Sequence, residues 1–280
     1  MAETVAASLK ERVIIVTGGA RGLGREMALA LADADAKVVI TGTSESAAML
    51  ETAARANAPG QPERLVGISA DVGDFAACEA VVRFALARFG RIDVLVNNTG
   101  LGMRLISETF NTKPVPFWEI EPMHWRSIIA TNVNGVFNMA RACVPHMLAN
   151  GFGKVINIST SDQTMARRGY SPYGPSKAAL EAMSRVWAQD LEGKGVDVNV
   201  YLPGGAVDTD VLPPGAGKRG ADGMLLAPAI TQRGIVWLCS DASNCQTGGR
   251  YIARLWDESL PGGEAARGAS AGGHFLSVQG

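Results

Sequence analysis

The stretch VIIVTGGARGLGREMALALADA, residues 13 to 34, decides the fold. It begins with β-branched residues, passes through Gly18, Gly22 and Gly24, and continues with apolar residues at helical spacing. Glycines between a strand and a helix permit a tight turn and a close approach of the backbone to a pyrophosphate, whose charge faces the helix amino end. This context predicts a dinucleotide-binding loop rather than a plain turn.

Further short apolar runs follow the first one, and each is nearly continuous, as expected of strands covered on both faces. They lie at residues 37–41, 64–69, 92–97, 154–159 and 196–203. Stretches with helical spacing separate them; in the last, Leu180, Met183, Trp187 and Leu191 follow at steps of three or four. The alternation predicts an α/β fold with a Rossmann-type, doubly wound parallel sheet in a three-layer α/β/α arrangement.

Composition predicts the domain organisation. Residues 1–259 form a single domain, with proline- and glycine-rich loops at 101–123 and 204–228 that we expect near the substrate. The segment 260–280 is rich in Gly, Ala and Ser, and we expect a mobile tail unless a partner subunit orders it.

Charge and hydropathy exclude several classes of function. With 47% hydrophobic residues, 19% charged residues and a net charge of −1, the chain is typical of a globular protein that binds small molecules. We find no basic stripe for a nucleic acid and no cluster for an anionic membrane surface. The amino terminus lacks an apolar signal core and no run of about 18 apolar residues occurs, so we expect a cytoplasmic protein.

Cysteine and histidine usage is consistent with this location. The four cysteines are expected to be reduced thiols, although Cys239 and Cys245 could pair. The three histidines are scattered, which argues against a histidine-ligated metal, and we predict no metal site.

The residues that follow the second predicted strand bear on the choice of nucleotide. An acidic side chain there would bind the ribose 2′-hydroxyl of NAD, but this chain has Gly42 and Thr43. Arg21 in the glycine loop is within reach of a 2′-phosphate. We therefore predict NADP as the preferred cofactor, with NAD possible; the alternative is that Arg21 only pairs with a surface carboxylate.

The stretch GYSPYGPSK, residues 169 to 177, contains a candidate for acid–base chemistry. Tyr173 and Lys177 are four residues apart and lie on one face of a helix, whereas Tyr170 is expected to precede that helix. A phenol with a pKa near 10 is a poor acid or base at neutral pH. A neighbouring lysine cation favours the phenolate and is expected to bring the pKa of Tyr173 down.

The ordered set of motifs resembles the short-chain dehydrogenase/reductase family over about residues 10 to 253. The motifs are TGGARGLG at 17–24, NNTG at 97–100, Asn132 in TNVNGVF, NIST at 157–160, YGPSK at 173–177 and LPGG at 202–205. The middle part is similar to the single-domain branch with 3-oxoacyl-carrier-protein reductases and carbonyl and hydroxysteroid reductases. The resemblance implies an NAD(P)-dependent oxidoreductase.

The resemblance also implies roles for individual residues. Tyr173 would be the general acid/base, Lys177 its electrostatic and ribose-binding partner, and Asn132 the holder of a proton-relay water. Asn132 also lies at helical steps from Ile128 and Val136, so its amide needs a partner; a satisfied core asparagine is the alternative. The implied cofactor-binding set is Gly18, Arg21, Gly22, Leu23, Gly24, Gly42, Thr43, Asp71, Val72, Asn98, Gly100, Tyr173, Lys177, Pro203 and Gly204.

The chain departs from the family pattern at the substrate-orienting serine. The matching position, thirteen residues before Tyr173, is Thr160, with Ser161 next to it. Threonine keeps a hydroxyl donor but adds a methyl group that takes up pocket volume. We expect Thr160 to fill the role, with Ser161 as the alternative.

Two further departures affect the substrate and the oligomer. The segment between NNTG and Asn132 is longer than in the family pattern, and its Phe110, Phe117 and Trp118 are candidate substrate contacts; a packed surface loop or a subunit contact is the alternative. Near the carboxyl terminus, Ala253, Arg254 and Leu255 replace the usual acidic Gly-Gly turn. That region commonly forms the tetramer interface in the family, so we expect a homotetramer or a dimer.

The leading hypothesis is an NADP-dependent oxidoreductase that interconverts a ketone or aldehyde with an alcohol by hydride transfer. Three alternatives stay open at this point. They are a catalytically weak nucleotide-binding regulatory or scaffold protein, an NAD-dependent alcohol dehydrogenase, and a lyase or epimerase that uses the same tyrosine.

Overall fold

The computed structural model describes residues 8–57, 59–60, 62–213, 215, 218–220 and 223–271. Within these residues the strands are β1 Val13–Val16, β2 Lys37–Gly42, β3 Leu65–Ser69, β4 Val94–Asn97, β5 Gly153–Ile158, β6 Val196–Leu202 and β7 Arg250–Ile252. The α-helices are α1 Gly22–Asp33, α2 Ala47–Ala56, α3 Phe75–Phe89, α4 Pro122–Ile129, α5 Gly135–Ala149, α6 Asp162–Met165, α7 Tyr173–Asp190, α8 Gln232–Cys239 and α9 Gly262–Ala269. A π-helical turn, Ala130–Asn134, joins α4 to α5.

All neighbouring strands pair in parallel in one sheet of order β3-β2-β1-β4-β5-β6-β7. The chain runs outward from β1 to β3 and then crosses to β4 on the other side of β1, where Val16 pairs with Val96. In such sheets the reversal of strand order opens a crevice at the carboxyl ends of the two central strands. The predicted doubly wound fold is confirmed.

Two apolar cores cover the two faces of the sheet. Ile14 and Val16 of β1 pack in one core, together with α1 and α8, and Ile15 packs in the other, together with α3 and α5. Successive side chains of a strand point to opposite faces, so a continuously apolar strand supplies both cores. All four residues of β1 are buried for this reason.

The segment after residue 259 differs from the prediction. Composition predicts a mobile tail from 260 to 280, yet Gly262–Ala269 forms α9, whose Ala265, Ala266 and Ala269 are buried. Ser270 then forms a β-bridge with Tyr251. The prediction is wrong for 262–271, because small alanines pack closely against the Trp237 side of the core; residues 272–280 lie outside the described part.

The two predicted loops are mainly irregular. The first contains two short 3₁₀ turns, Met103–Leu105 and Phe117–Glu119, and ends where α4 begins at Pro122. The second is held by a bridge between Val207 and Leu226. All four cysteines are free thiols, so Cys239 and Cys245 do not pair. No helix among the described residues is long and apolar enough to cross a membrane.

Candidate active site

The glycine loop leaves no room for side chains at its centre. Gly18 has a φ of +66°, and a Cβ there would lie 3.0 Å from Thr99 Oγ1. At Gly24 a Cβ would lie 2.2 Å from the carbonyl oxygen of Gly18. The side chain of Arg21 does not cap α1, and the first turn of α1 carries no acidic residue. The loop therefore fits a pyrophosphate at the amino end of α1, where Gly22 and Leu23 follow Arg21.

The loop is anchored to the neighbouring strand by Asn98 and Thr17. Asn98 Nδ2 donates to the carbonyl oxygens of Thr17 at 2.9 Å and of Gly18 at 3.2 Å. The Thr17 hydroxyl accepts from the backbone N–H groups of Asn98 and Thr99 at 2.9 and 3.0 Å. Asn98, which follows β4, thus fixes the backbone of the glycine loop. Thr17 fixes it as well, and the sequence reasoning missed this residue.

The residues predicted to lie beside the adenosine end are at the carboxyl ends of β2 and β3. Gly42 ends β2, and Thr43 follows it with an exposed side chain. Asp71 is exposed and accepts from the Gly73 N–H at 2.8 Å, while Val72 is buried. No acidic residue occupies the end of β2, as the sequence indicates.

Arg21 pairs with a carboxylate in this structure. Its Nη1 lies 3.5 Å from Asp210 Oδ2, and both side chains are largely exposed. Asp210 belongs to the second loop, and its carbonyl oxygen accepts from Arg104 Nη1 of the first loop at 2.9 Å. The two loops therefore meet above the glycine loop.

The hydroxyl of Thr160 is hydrogen-bonded to the phenol of Tyr173. Tyr173 opens α7, after Pro172, and Thr160 follows the end of β5. Ser161 has a different task, since its Oγ accepts from the Thr164 N–H at 3.3 Å and caps α6. Of the two hydroxyls considered for the serine position, the structure brings Thr160 to Tyr173.

The expected effect on the phenol differs from the prediction. Burial raises the pKa of Tyr173 to about 12, and the hydrogen bond from Thr160 opposes this rise only in part. The prediction that Lys177 lowers the pKa of Tyr173 is wrong for this arrangement. The cost of desolvating the phenolate outweighs the stabilisation of that phenolate by neighbouring groups. The phenol is therefore protonated throughout the neutral range and suited to donate a proton.

Lys177 lies one turn along α7 from Tyr173 and is buried. Its Nζ donates to the carbonyl oxygen of Ile158, the last residue of β5, at 2.7 Å. Burial lowers the pKa of Lys177 to about 8, and the carboxylate of Glu181 partly opposes that change. A Cβ at Gly100 would lie 3.6 Å from Nζ, so the NNTG turn borders this lysine.

Asn132 lies in the π-helical turn and is fully buried. Its Oδ1 accepts from the Leu101 N–H at 2.8 Å, and its Nδ2 donates to the Leu101 carbonyl and the Ser176 hydroxyl, both at 3.0 Å. The predicted need for a partner is confirmed. π-helical turns often occur at functional sites. This turn places Asn132 against Ser176, the residue before Lys177 on α7.

Aromatic residues next to the phenol form a small apolar cluster. Phe110 and Tyr170 are buried and pack edge to face, with ring centroids 5.6 Å apart, and Met103 and Leu212 of the two loops adjoin them. Phe117 and Trp118 are 69% and 72% exposed and pack edge to face against each other. The structure therefore brings Phe110 to the site and leaves the other two candidates at the surface.

The turn after β6 lies beside β7. The Pro203 carbonyl accepts from the Arg254 N–H at 3.0 Å, and a Cβ on Gly204 would overlap Ile252. The turn thus lies at the carboxyl end of the sheet, at the same edge as the residues described above.

Several residues of the site escaped the sequence reasoning. Ser176 bonds Asn132, and Glu181 and Arg250 form an ion pair beside Thr160. Ser176, three residues after Tyr173, and Glu181, four after Lys177, could have been found from helical spacing. Arg250 could not, because its partners are 69 to 90 residues away in the chain.

Comparison with known proteins gives the family. The model of the family described as short chain dehydrogenase matches residues 12–216. The chain is 32% identical over 201 residues to the 3-oxoacyl-[acyl-carrier-protein] reductase of Escherichia coli, covering 71% of this chain and 75% of the relative. It is 31% identical over 251 residues to the acetoacetyl-CoA reductase of Rhizobium meliloti, covering 86% and 96%.

Solved structures agree with this result. A 3-ketoacyl-(acyl-carrier-protein) reductase from Brucella melitensis, complexed with NADH, superposes with a TM-score of 0.75 at 28% identity, covering 87% of this chain and 96% of that one. A gluconate 5-dehydrogenase from Burkholderia cenocepacia, in complex with NADP and tartrate, superposes with a TM-score of 0.76 at 28% identity, covering 89% and 96%. The chain belongs to the short-chain dehydrogenase family and is an oxidoreductase; the predicted family and enzyme class are confirmed.

Proposed function

We propose that the protein is an NADP-dependent reductase that interconverts a ketone or aldehyde with an alcohol, with Tyr173 as the general acid/base. The observation that carries the proposal is the hydrogen bond between the Tyr173 phenol and the Thr160 hydroxyl, both on half-buried residues, with Lys177 one turn away on α7. Two neighbouring hydroxyl groups can bind a carbonyl oxygen between them, and the phenol can protonate it.

The proton step uses residues of this chain. In reduction, the Tyr173 phenol donates its proton to the carbonyl oxygen while Thr160 donates a hydrogen bond to the same oxygen. The ammonium of Lys177 stabilises the resulting phenolate, which otherwise carries the desolvation cost that raises the pKa of Tyr173. The nicotinamide, when bound, supplies the hydride to the carbonyl carbon or accepts it in the reverse direction.

Asn132 has a narrower role than holding a water with its amide group. Both Nδ2 hydrogens and one lone pair of Oδ1 are engaged by Leu101 and Ser176. A relay water could bind only the second lone pair of Oδ1 or the backbone carbonyl. We propose that the Asn132 side chain fixes Leu101 and the first turn of α7. The backbone carbonyl oxygen of Asn132 then binds the relay water.

The preference for NADP rests on the end of β2 and on Arg21. Gly42 and Thr43 provide no carboxylate to bind a 2′-hydroxyl or to repel a 2′-phosphate. The pair of Arg21 with Asp210 is exposed, and exposed pairs contribute little, so Arg21 can exchange the carboxylate for a phosphate. We propose that Asp71, Val72, Asn98, Gly100, Pro203 and Gly204 line the remainder of the nucleotide site.

The names of the relatives guide the choice of substrate. Two of them reduce a 3-oxoacyl carrier protein or acetoacetyl-CoA, as their names state. We propose a carbonyl substrate of the same kind or a cyclic ketone, with its apolar part near Phe110, Tyr170 and Leu212.

The first experiment is oxidation of NADPH and of NADH, followed at 340 nm, with acetoacetyl-CoA and a panel of cyclic and aromatic ketones. We expect turnover with NADPH, and a loss of about 10²- to 10⁴-fold in kcat/KM in Tyr173→Phe with unchanged NADPH binding. NADPH binding without turnover across the panel would favour a regulatory nucleotide-binding protein.

The nucleotide preference has its own test. Arg21→Ala is expected to lower the NADPH/NADH ratio of kcat/KM by about 10- to 100-fold, because a charge-assisted bond to a phosphate contributes about 1.5–3 kcal/mol. Arg83→Ala, at an exposed position on α3, is the matched control. An unchanged ratio in Arg21→Ala would refute the role of Arg21, and a wild-type ratio below one would support an NAD-dependent alcohol dehydrogenase instead.

We also propose a cytoplasmic homo-oligomer, a dimer or a tetramer. Met123 and Trp125 on α4 and Phe137 on α5 are large apolar side chains that are 44% to 64% exposed, as a subunit contact would require. Light scattering of the purified protein measures the mass; a monomer at micromolar concentration would contradict this proposal.

A further inference from the structure

A buried ion pair joins α7 to β7 next to the proposed catalytic residues. Glu181 is 2% exposed and Arg250 is 8% exposed. Arg250 Nε donates to both carboxylate oxygens of Glu181, at 3.1 and 3.0 Å.

Both partners of the pair also bond the segment that carries Thr160. Arg250 Nη2 donates to the Thr160 carbonyl at 3.2 Å and to Asp162 Oδ1 at 2.6 Å. The Ser159 hydroxyl donates to Glu181 Oε1 at 2.6 Å. Ser159, Thr160 and Asp162 are thereby fixed on both sides of the hydroxyl that meets Tyr173.

The carboxylate of the pair acts on Lys177 as well. Glu181 lies one turn after Lys177 on α7, and its negative charge favours the ammonium form of that lysine. Glu181 is linked in turn to Arg250 on β7, which also binds Asp162 on α6, and Arg185 of α7 lines a small cavity with Glu181 and Arg250. Glu181 is the carboxylate among them that acts directly on Lys177.

We propose that Arg250 and Glu181 are positioning residues for the reductase. Arg250 fixes the Thr160 segment so that its hydroxyl stays against Tyr173. Glu181 places a negative charge one turn from Lys177 and favours its ammonium form. The proposal rests on the proposed function. A buried ion pair is weak evidence for stability alone, because well-packed apolar residues stabilise a core as well or better. The bonds of Arg250 to the Thr160 segment and the negative charge of Glu181 beside Lys177 give the pair a role beyond stability.

The effect of Glu181 is tested by the pH profile of kcat/KM for reduction with NADPH. The alkaline limb of the wild type is expected at about pH 8, where Lys177 loses its proton. Glu181→Gln removes the carboxylate and is expected to move this limb below pH 8, whereas Glu181→Asp leaves it near 8. Glu192→Gln, exposed just after α7, is the matched control. If Glu181→Gln does not fold, Glu181→Gln with Arg250→Gln removes both buried charges together, and the limb is again expected below pH 8.

The effect of Arg250 is tested by a double-mutant cycle. Arg250→Lys keeps the charge but loses the fork of donors, and we expect about a 10- to 100-fold loss of kcat with unchanged NADPH affinity. In the Thr160→Val background the same change is expected to cost little further, because Arg250 acts through Thr160. Arg233→Lys, at an exposed pair, is the control.

Two results would overturn the proposal, and they are distinguishable. A wild type that binds NADPH and shows no turnover would refute the proposed function, and this inference with it. A wild type that turns over normally, with an unmoved limb in Glu181→Gln and additive losses in the cycle, would leave the function intact and reduce the pair to a structural contact.

Discussion

The two ends of β5 each border a buried lysine. At the amino end, Lys154 is 2% exposed, donates to the Ser243 hydroxyl at 2.9 Å and lies 3.8 Å from Asp197. At the carboxyl end, Lys177 is 4% exposed and donates to the Ile158 carbonyl at 2.7 Å. Burial lowers the pKa of both lysines.

The difference between the two ends lies in their neighbours. The ammonium group of Lys154 has two polar partners, the Asp197 carboxylate and the Ser243 hydroxyl. Lys177 has a protonated phenol one turn away and the NNTG turn, residues 97–100, beside it. A perturbed pKa therefore does not identify a functional site without a reactive group and access for a ligand next to it.

Replacement of each lysine in turn is expected to separate the two ends most sharply. Lys177→Met is expected to lower kcat/KM by about 10²- to 10³-fold, because the phenolate loses its cation. Lys154→Met is expected to leave kcat/KM nearly unchanged in the same NADPH assay. Equal losses in the two variants, with both proteins folded by circular dichroism, would refute the distinction.

Changes at the hydroxyl groups sharpen the assignment of the carboxyl end of β5. Thr160→Val keeps the shape but removes the donor, and a loss of about 10- to 100-fold in kcat is expected. Ser161→Ala removes only the cap of α6 and is expected to change kcat little, since a lost cap costs about 1 kcal/mol of stability. A larger loss in Ser161→Ala than in Thr160→Val would transfer the substrate-orienting role to Ser161.

The pH dependence of reduction distinguishes the lysines again. Tyr173, with a pKa raised to about 12, stays protonated, and Lys177, with a pKa of about 8, loses its charge first. We expect kcat/KM to fall about tenfold per pH unit above pH 8, and Lys154→Met to show the same limb. A limb that moves in Lys154→Met would show that the amino end of β5 acts on the chemistry.

The smallest expected effect is on stability at the amino end of β5. Burial lowers the pKa of Lys154 below its usual 10.5, so the unfolded chain binds more protons between the lowered value and 10.5. Lys154 therefore contributes a rise with pH to the free energy of unfolding in that window. Lys177 contributes a rise as well, so Lys154→Met should reduce this slope without removing it. Urea unfolding at several alkaline pH values, with Lys10→Met as an exposed control, measures it.

Local pattern accounted for much of the architecture. The six predicted strands are long enough for an apolar run to be visible, and the order of strands and helices fixed a parallel sheet. β7 has three residues and begins with Arg250, so no such run marks it. The helix α9 was missed because a segment rich in glycine and alanine is typical of a mobile tail. Its packing in the core that contains Trp237 is not visible in the local sequence.

The site was predictable where its parts are close in the chain. Tyr173 and Lys177 share a helix face by spacing alone, and Asn132 revealed its need of a partner by its apolar neighbours. The pKa of Tyr173 was not predictable, because it depends on burial by residues of other elements. The link from Arg250 to Thr160 likewise depends on the pairing of β6 with β7.

The position of β7 also bears on where the protein can be divided. The family match ends at residue 216, yet the last strand and α9 come after it, and Tyr251 and Ala266 belong to the main core. A fragment cut at that boundary would lose Arg250 and expose the apolar face on which α8 packs. The segment that the family model matches is thus shorter than the segment whose side chains build the main core.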